Sequence, residues 1–400
     1  MKTIKTIVGI SLICCMLFGL VLISLNMTGI RPTATNLAQQ QMESGLKVSG
    51  LHAAIVIVGN ADFKAHAISE GWLGNGSASN PYVIKEYVII KPIGLGGVRI
   101  HDTNVHFIIE NVSVYDAEPS AAFEFHNVTN GELRNNFGFN STFSFVDLQD
   151  TILSGNIALN ISGNAFSVTG SQNILFNNTV KNAYGYGAIG FTVTGSSNVL
   201  SNNTARDCEE LGFALYGSDN SLSNNTAFFN KHGFYISGSD NTLTHNIARV
   251  NSQNGFHLQS CSLNTLIYNI ATDNGDSGFL LDNTSHNILI YNIAINNGDK
   301  GFSLSNASQN ILVRNTATNN NYGLHLVYSN YNTFGVNTLS PNADGCIWAF
   351  ECVGNTFDGN TCEEESGVPG FNLAILIGMI AVISAVFFLR KNQCGHLNLY

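Results

Sequence analysis

Residues 217–256, GSDNSLSNNTAFFNKHGFYISGSDNTLTHNIARVNSQNGF, state nearly the same thing twice. The Asn that closes each "NNT" or "HNI" recurs at Asn111, Asn136, Asn156, Asn178, Asn203, Asn225, Asn246, Asn269, Asn292, Asn315, Asn337 and Asn360, at intervals of 20 to 25 residues. A second Asn column runs five residues earlier, from Asn173 to Asn355. A third column is aromatic, from Phe123 through Phe256 to Phe302 and then Leu324, with an aliphatic partner two residues on. A fixed period of this length means stacked supersecondary units, and it overrides any count of domains from chain length.

Phe-x-Leu has period two, so each repeat holds a short strand with one buried face. Asn-x-Leu makes a second strand, through residues such as Leu243 and Leu266. Asn-Thr/Ile-Ala makes a third, with Ala248 and Ala271 filling the remaining corner. Helix-length segments are absent between them, and neither the L-x-x-L-x-L line nor a 3.6-residue stripe appears. The expected fold is all-β: a right-handed single-stranded parallel β-helix of about 12 coils, its hand following from the general rule for parallel crossovers. In such a stack each side chain lies on its own kind. The inward Asn side chains Asn178, Asn203, Asn225, Asn246, Asn269, Asn292, Asn315 and Asn337 are expected to form a structural ladder, amide to amide, and to tolerate left-handed corners.

The chain divides accordingly. Residues 1–30 read as a signal peptide or signal anchor, because Lys2 and Lys5 precede an apolar run, and 31–49 as a linker. Residues 50–96 are an N-terminal cap with first strands. Within it, "NADFKAHAISEG" is expected to form a helix with Asn60 as N-cap, Phe63 and Ala67 inward, and Gly71 as stop. Residues 97–362 are the repeats and 363–370 a linker. Residues 371–391 are a transmembrane helix closed by Arg390 and Lys391, and 392–400 a cytoplasmic tail. That places the main domain outside the cell. Cys346, Cys352 and Cys362 cluster where the repeats end, where a disulfide would brace the last coil.

The motif "NNTARDCEELGFALYGSDNSLSNNTA" resembles the NosD-like parallel β-helix repeat family, within the broader carbohydrate-binding and sugar-hydrolase β-helices, over about residues 50 to 362. "GNGSASNPYVIKEYVI" is similar to the start of archaeal and bacterial surface proteins of that kind. Pro369-Gly370-Phe371, followed by an apolar run and Arg390-Lys391, resembles the PGF-type sorting signal of archaeal surface proteins, with Asn372 where Gly usually follows. The resemblances imply a surface-anchored β-helix. They leave the activity open, because the fold hosts lyases, hydrolases, epimerases, adhesins and scaffolds.

The net charge is −10, and between Gly97 and Cys362 eight Lys or Arg face twenty Asp or Glu. Nucleic acid is excluded as a partner, because the basic footprint it needs is missing. The NosD-like resemblance would imply copper handling, yet every Met lies outside the repeats. His232, His245, His257, His286 and His325 occupy different columns, or the same column three coils apart, so a paired imidazole site is not expected. No motif calls for a cofactor or a metal. Asp276 and Asp299, in one column of adjacent coils, are weak catalytic candidates for a polysaccharide lyase or hydrolase. Their setting, "NGDSG" and "NGDKG", is ordinary turn chemistry.

The residue before each marker Asn should point outward, which puts His245, Tyr268, Tyr291 and Arg314 in one exposed stripe flanked by Ile267, Ile270, Ile290 and Ile293. Amphipathic rings there suit a sugar face or another protein. The expected function is therefore binding, adhesion or envelope scaffolding at the membrane-anchored cell surface, in contact with a polysaccharide or a surface protein. An enzyme acting on polysaccharide is the alternative, and copper handling a minor one.

Overall fold

The computed structural model describes residues 50–362, apart from 93 and 95. The apolar runs at both ends of the chain lie outside those residues. Among the described residues, no helix is long and apolar enough to cross a membrane.

The described chain is a right-handed parallel β-helix of about 12 turns. Three sheets run its length, each joining strands that lie one coil apart in sequence. The first has 13 strands, from Ile55–Val58 to Gly345–Phe350, and is called the Phe sheet after its core residue. The Leu sheet, also of 13, runs from Tyr82–Lys85 to Thr356–Asp358, and the Ala sheet, of 11, from Val88–Ile90 to Thr316–Thr318. The pairings between these strands are parallel and stack like on like: Phe256 on Phe279, Leu266 on Leu289, Ala271 on Ala294. Strand spacing in a sheet is roughly 4.8 Å. The Phe rings inherit it, stacking with centroids 4.8 Å apart and planes within 4° for Phe256 and Phe279. Gly255 precedes Phe256 because a Cβ there would stand 2.7 Å from the Gly278 carbonyl oxygen and 2.9 Å from the Ala271 side chain.

The inward Asn side chains are buried completely. Asn269 shows how they are satisfied. Its Oδ1 accepts from the Asn246 backbone N–H at 2.9 Å and from Asn246 Nδ2 at 3.0 Å. Its Nδ2 donates to the Leu243 carbonyl at 2.9 Å and to Asn292 Oδ1 at 3.0 Å. The left-handed conformation belongs to a different residue from the one expected. The inward Asn does not adopt it; the residue before it does, as at Asn224, His245, Tyr268, Tyr291 and Arg314, with φ from 55° to 57°. Asn111 is such a corner residue (φ 54°), and Val112 takes the inward place in that coil. A third inward Asn column, absent from the sequence reading, joins Asn230, Asn251, Asn274, Asn297, Asn320 and Asn342 at the corner between the Ala and Phe sheets.

At the N-terminal end a helix, α1 (Gly59–Glu70), covers the first coil with Phe63 and Ala67 buried, and Gly71 ends it with φ 69°. It starts one residue before the expected cap. Val58 is the N-cap, its N–H donating to Asp62 Oδ2 at 2.8 Å. Asn60 is instead drawn toward the solenoid, accepting from the Thr103 hydroxyl at 2.7 Å. At the other end Cys346 and Cys362 form a disulfide, while Cys208, Cys261 and Cys352 are free.

Two substitutions test which contacts hold the stack. Phe256→Ala is expected to lower the unfolding free energy by about 3–5 kcal/mol, as a large cavity in a packed core does. Asn269→Ala is expected to cost about 1–3 kcal/mol for each buried group it strands, the Asn246 N–H and the Leu243 carbonyl. Urea unfolding measures both, and a near-neutral Asn269→Ala would show that the ladder is ornamental.

Candidate functional site

Along the strands of the Phe sheet, the residue between the buried Phe and Leu lies on the outer face, where Ala214 and Ser303 are covered and the larger side chains reach solvent. Registered coil by coil, this outward column includes Tyr235, His257, Leu280, Ser303, His325 and Trp348. A second outward column, two residues before the Phe, contains Leu211 and His232, and further on Lys300 and Tyr322. Parallel stacking turns these separate sequence positions into neighbours.

The two columns carry two separate clusters, because Asn254, Ser277 and Ser303 between them are buried. Lys231 Nζ holds Glu210 Oε2 at 2.8 Å. The His232 and His257 rings lie 5.6 Å apart, and Tyr235 meets His257 edge-on at 5.3 Å. Tyr216 extends the group, 5.9 Å from Tyr235. Further along, Lys300 is ion-paired with Asp299, Tyr322 lies 5.8 Å from His325, and Trp348 stacks on His325 at 4.4 Å. Nε2 of His257 and Nδ1 of His325 have no hydrogen-bond partner within the protein.

Burial dominates the imidazole charges. It pushes His232 down to about 4, helped by the neighbouring His257 and Lys231 and opposed by Glu210. His257 is lowered by burial, against a hydrogen bond to the Gln259 side chain and the attraction of Asp282 and Asp276. His325 is lowered by burial and by Lys300, against Asp299. Lowered imidazoles are neutral near pH 7 and serve as hydrogen-bonding groups. Burial also pushes the Cys208 and Cys261 thiols up to about 12, so neither is poised as a thiolate.

Asp276 and Asp299 lie in adjacent coils at the edge of these clusters, joined by the Asp299 N–H donating to the Asp276 carbonyl at 3.2 Å. Both are half-buried. The structure brings Asp276 toward His257 and Asp299 toward Lys300 and His325. The expectation that the histidines stay apart fails, because His232 and His257 meet diagonally across neighbouring columns. His101 and His126 also sit in register, 5.7 Å apart. Among the described residues, no group of three His, Cys, Asp or Glu is arranged to hold a metal ion.

The stripe of His245, Tyr268, Tyr291 and Arg314 lies at the corner between the Leu and Ala sheets, opposite the Phe sheet. His245 stacks on Tyr268 at 5.1 Å, and Tyr268 on Tyr291 at 5.0 Å with planes 11° apart. Arg314 covers the far face of Tyr291 at 5.5 Å and donates to its hydroxyl. The ring faces are thus spent on one another, and edges and polar tips face solvent. Ile290 is buried, so the flanking apolar area is smaller than expected. Tyr235 and Lys231 were not singled out in the sequence, and His232 was weighed there only for copper. For Tyr235 the signal was present, since the residue after each column Phe must point outward once Phe points in.

A histidine lowered in the folded state makes stability depend on pH. The unfolded chain takes up the proton near the ordinary value of 6.5, while folded His232 resists until about 4. Stability is therefore full above that window and is lost as pH falls through it. The urea midpoint should drop between about pH 6.5 and about pH 4, and His232→Gln should flatten the drop. An unchanged slope in the variant would place the acid sensitivity elsewhere.

A family model described as a right handed beta helix region matches residues 189–339. No curated protein matches the sequence. Among solved structures, tailspike protein 3 of bacteriophage CBA120 is similar with a TM-score of 0.59 at 10% identity, over 87% of this chain and 66% of that one. A mutant of the periplasmic alginate epimerase AlgG gives 0.48 at 14% identity, over 81% and 89% of the two chains. The A-module of the Azotobacter vinelandii mannuronan C-5 epimerase AlgE4 gives 0.47 at 16%, over 81% and 96%. At such identities the likeness is one of fold: the chain shares the right-handed parallel β-helix.

Proposed function

We propose that this protein is a membrane-anchored cell-surface β-helix that binds polysaccharide along the outer face of the Phe sheet. One observation carries the reading: the cluster of Glu210, Lys231, Tyr216, His232, Tyr235 and His257, in which aromatic rings lie beside a carboxylate, an ammonium group and neutral imidazoles on the outer face of the Phe sheet. A sugar presents hydroxyls that both donate and accept, around an apolar ring face. Neutral imidazoles, carboxylates and Tyr hydroxyls match the first, and ring faces the second. The cluster extends over successive coils, from Glu210 through His232 and Tyr235 to His257, which suits a polymer better than a small molecule. The NosD-like pattern, the apolar run at 371–391 and the sorting-type Pro369-Gly370-Phe371 support the surface location.

The ladder of His245, Tyr268, Tyr291 and Arg314 is a second, independent contact on the opposite corner, offering hydroxyl and guanidinium groups rather than ring faces. A catalytic reading is kept in second place by the approach of Asp276 to His257 and of Asp299 to Lys300 and His325.

A glycan array probed with the full chain, run beside a polysaccharide cleavage screen, separates these. Tyr235→Ala with His257→Ala should abolish glycan binding if the cluster is the site. Loss instead on Tyr268→Ala with Tyr291→Ala, with the thermal midpoint nearly unchanged, would move the site to the ladder. Cleavage that disappears in Asp276→Asn and Asp299→Asn would make the protein an enzyme.

A further inference from the structure

The last two coils carry large apolar side chains in the open. Trp348 is 37% exposed, Phe350 44%, Tyr328 51%, Val353 63% and Tyr331 64%. They form two adjoining groups. Trp348 and Phe350 stack at 6.1 Å, with Tyr328 edge-on to Phe350 at 5.8 Å. Tyr331 lies against the next coil, its N–H donating to the Val353 carbonyl at 2.9 Å. Exposed apolar side chains gathered in this way mark a contact surface, since single ones are ordinary but clusters are rare.

The covalent chain says what that surface meets. Cys362, the last described residue, is tied by its disulfide to Cys346 in the final strand of the Phe sheet, so the chain leaves the solenoid at the terminal coil. Only residues 363–370 separate that point from the apolar run that begins at Phe371. Eight residues reach at most about 28 Å fully extended. If the run spans a bilayer, the terminal coil is held close to its surface. Trp and Tyr are the side chains that partition to a membrane interface, with an apolar body and a polar edge.

We infer that the terminal coil, through Trp348, Phe350, Tyr328, Tyr331 and Val353, seats on the lipid interface and fixes the C-terminal end of the solenoid against the membrane. This inference rests on the anchoring proposed above. The contact is apolar rather than electrostatic. Residues 315–362 contain no Lys or Arg, while Asp344, Glu351 and Asp358 lie in these coils and Glu363, Glu364 and Glu365 follow. The surface fits zwitterionic lipid, and anionic headgroups oppose it.

The chain has two tryptophans, Trp72 in the N-terminal cap and Trp348 in the last coil, which makes emission a direct probe. The full chain is reconstituted into phosphatidylcholine vesicles, flotation is checked, and emission is compared with and without lipid brominated near the headgroup. The brominated lipid should quench one component of the wild-type emission. Trp348→Phe, a change at an exposed site, should remove that component and leave the unquenched signal of Trp72. Replacing part of the lipid with phosphatidylserine should weaken the quenching. Failure to float would remove the anchoring reading and this inference with it. Flotation without quenching, or with quenching unchanged in Trp348→Phe, would overturn the inference alone and leave the anchor standing.

Discussion

At corners such as Tyr268-Asn269 a residue in the left-handed conformation is followed by an asparagine that turns inward and bonds to the coils on either side. This two-residue device makes the rest possible. A parallel strand cannot turn back on a tight hairpin, so it must bend and close a coil, and a bend buried in the core leaves peptide groups without partners. The inward amide supplies those partners with two donors and two acceptor sites, all used at Asn269. Aspartate would lose the donors, and leucine both donors and acceptors. The column therefore requires the amide itself, not merely a polar residue of that size.

The same device relaxes the demand on the residue before it. Left-handed backbone is easiest for Gly, Asn and Asp, yet His245, Tyr268, Tyr291, Arg314 and Val336 adopt it. The interlocked amide behind them holds the bend, and ring stacking along His245, Tyr268, Tyr291 and Arg314 adds a local gain. Stacking also removes the ring faces from use, so this corner presents hydroxyls and charge. The outer face of the Phe sheet is different. There Tyr235 meets His257 edge-on and the rings of Tyr216 and Tyr235 are tilted, so faces and polar groups are mixed.

Coil spacing also governs the electrostatics. Groups that are twenty-odd residues apart in sequence become nearest neighbours, so His232 feels His257 and Lys231 together with its own burial. Both lysines of the two clusters have a carboxylate partner, Lys231 with Glu210 and Lys300 with Asp299. The clusters are polar without strong net charge, in a protein that is acidic as a whole.

The repeat period by itself determined the parallel β-helix, the three strands per coil and the inward Phe, Leu, Ala and Asn columns. That follows because a one-residue shift would turn every side chain to the wrong face. It also placed His245, Tyr268, Tyr291 and Arg314 in one column, and Asp276 beside Asp299. Tertiary structure alone decided what those columns touch. Sequence spacing shows which residues share a column, but not how columns on either side of a turn converge, so the diagonal meeting of His232 with His257 was hidden. It could not show that the tyrosine rings would turn face to face. The third Asn column was legible in "FFN", "RVN" and "TDN", but its inward direction depended on where the Ala sheet ends and the corner begins. Asn111 and Asn60 were misread for the same reason. Asn111 lies one position before the inward site at Val112, and Asn60 two positions after the N-cap at Val58.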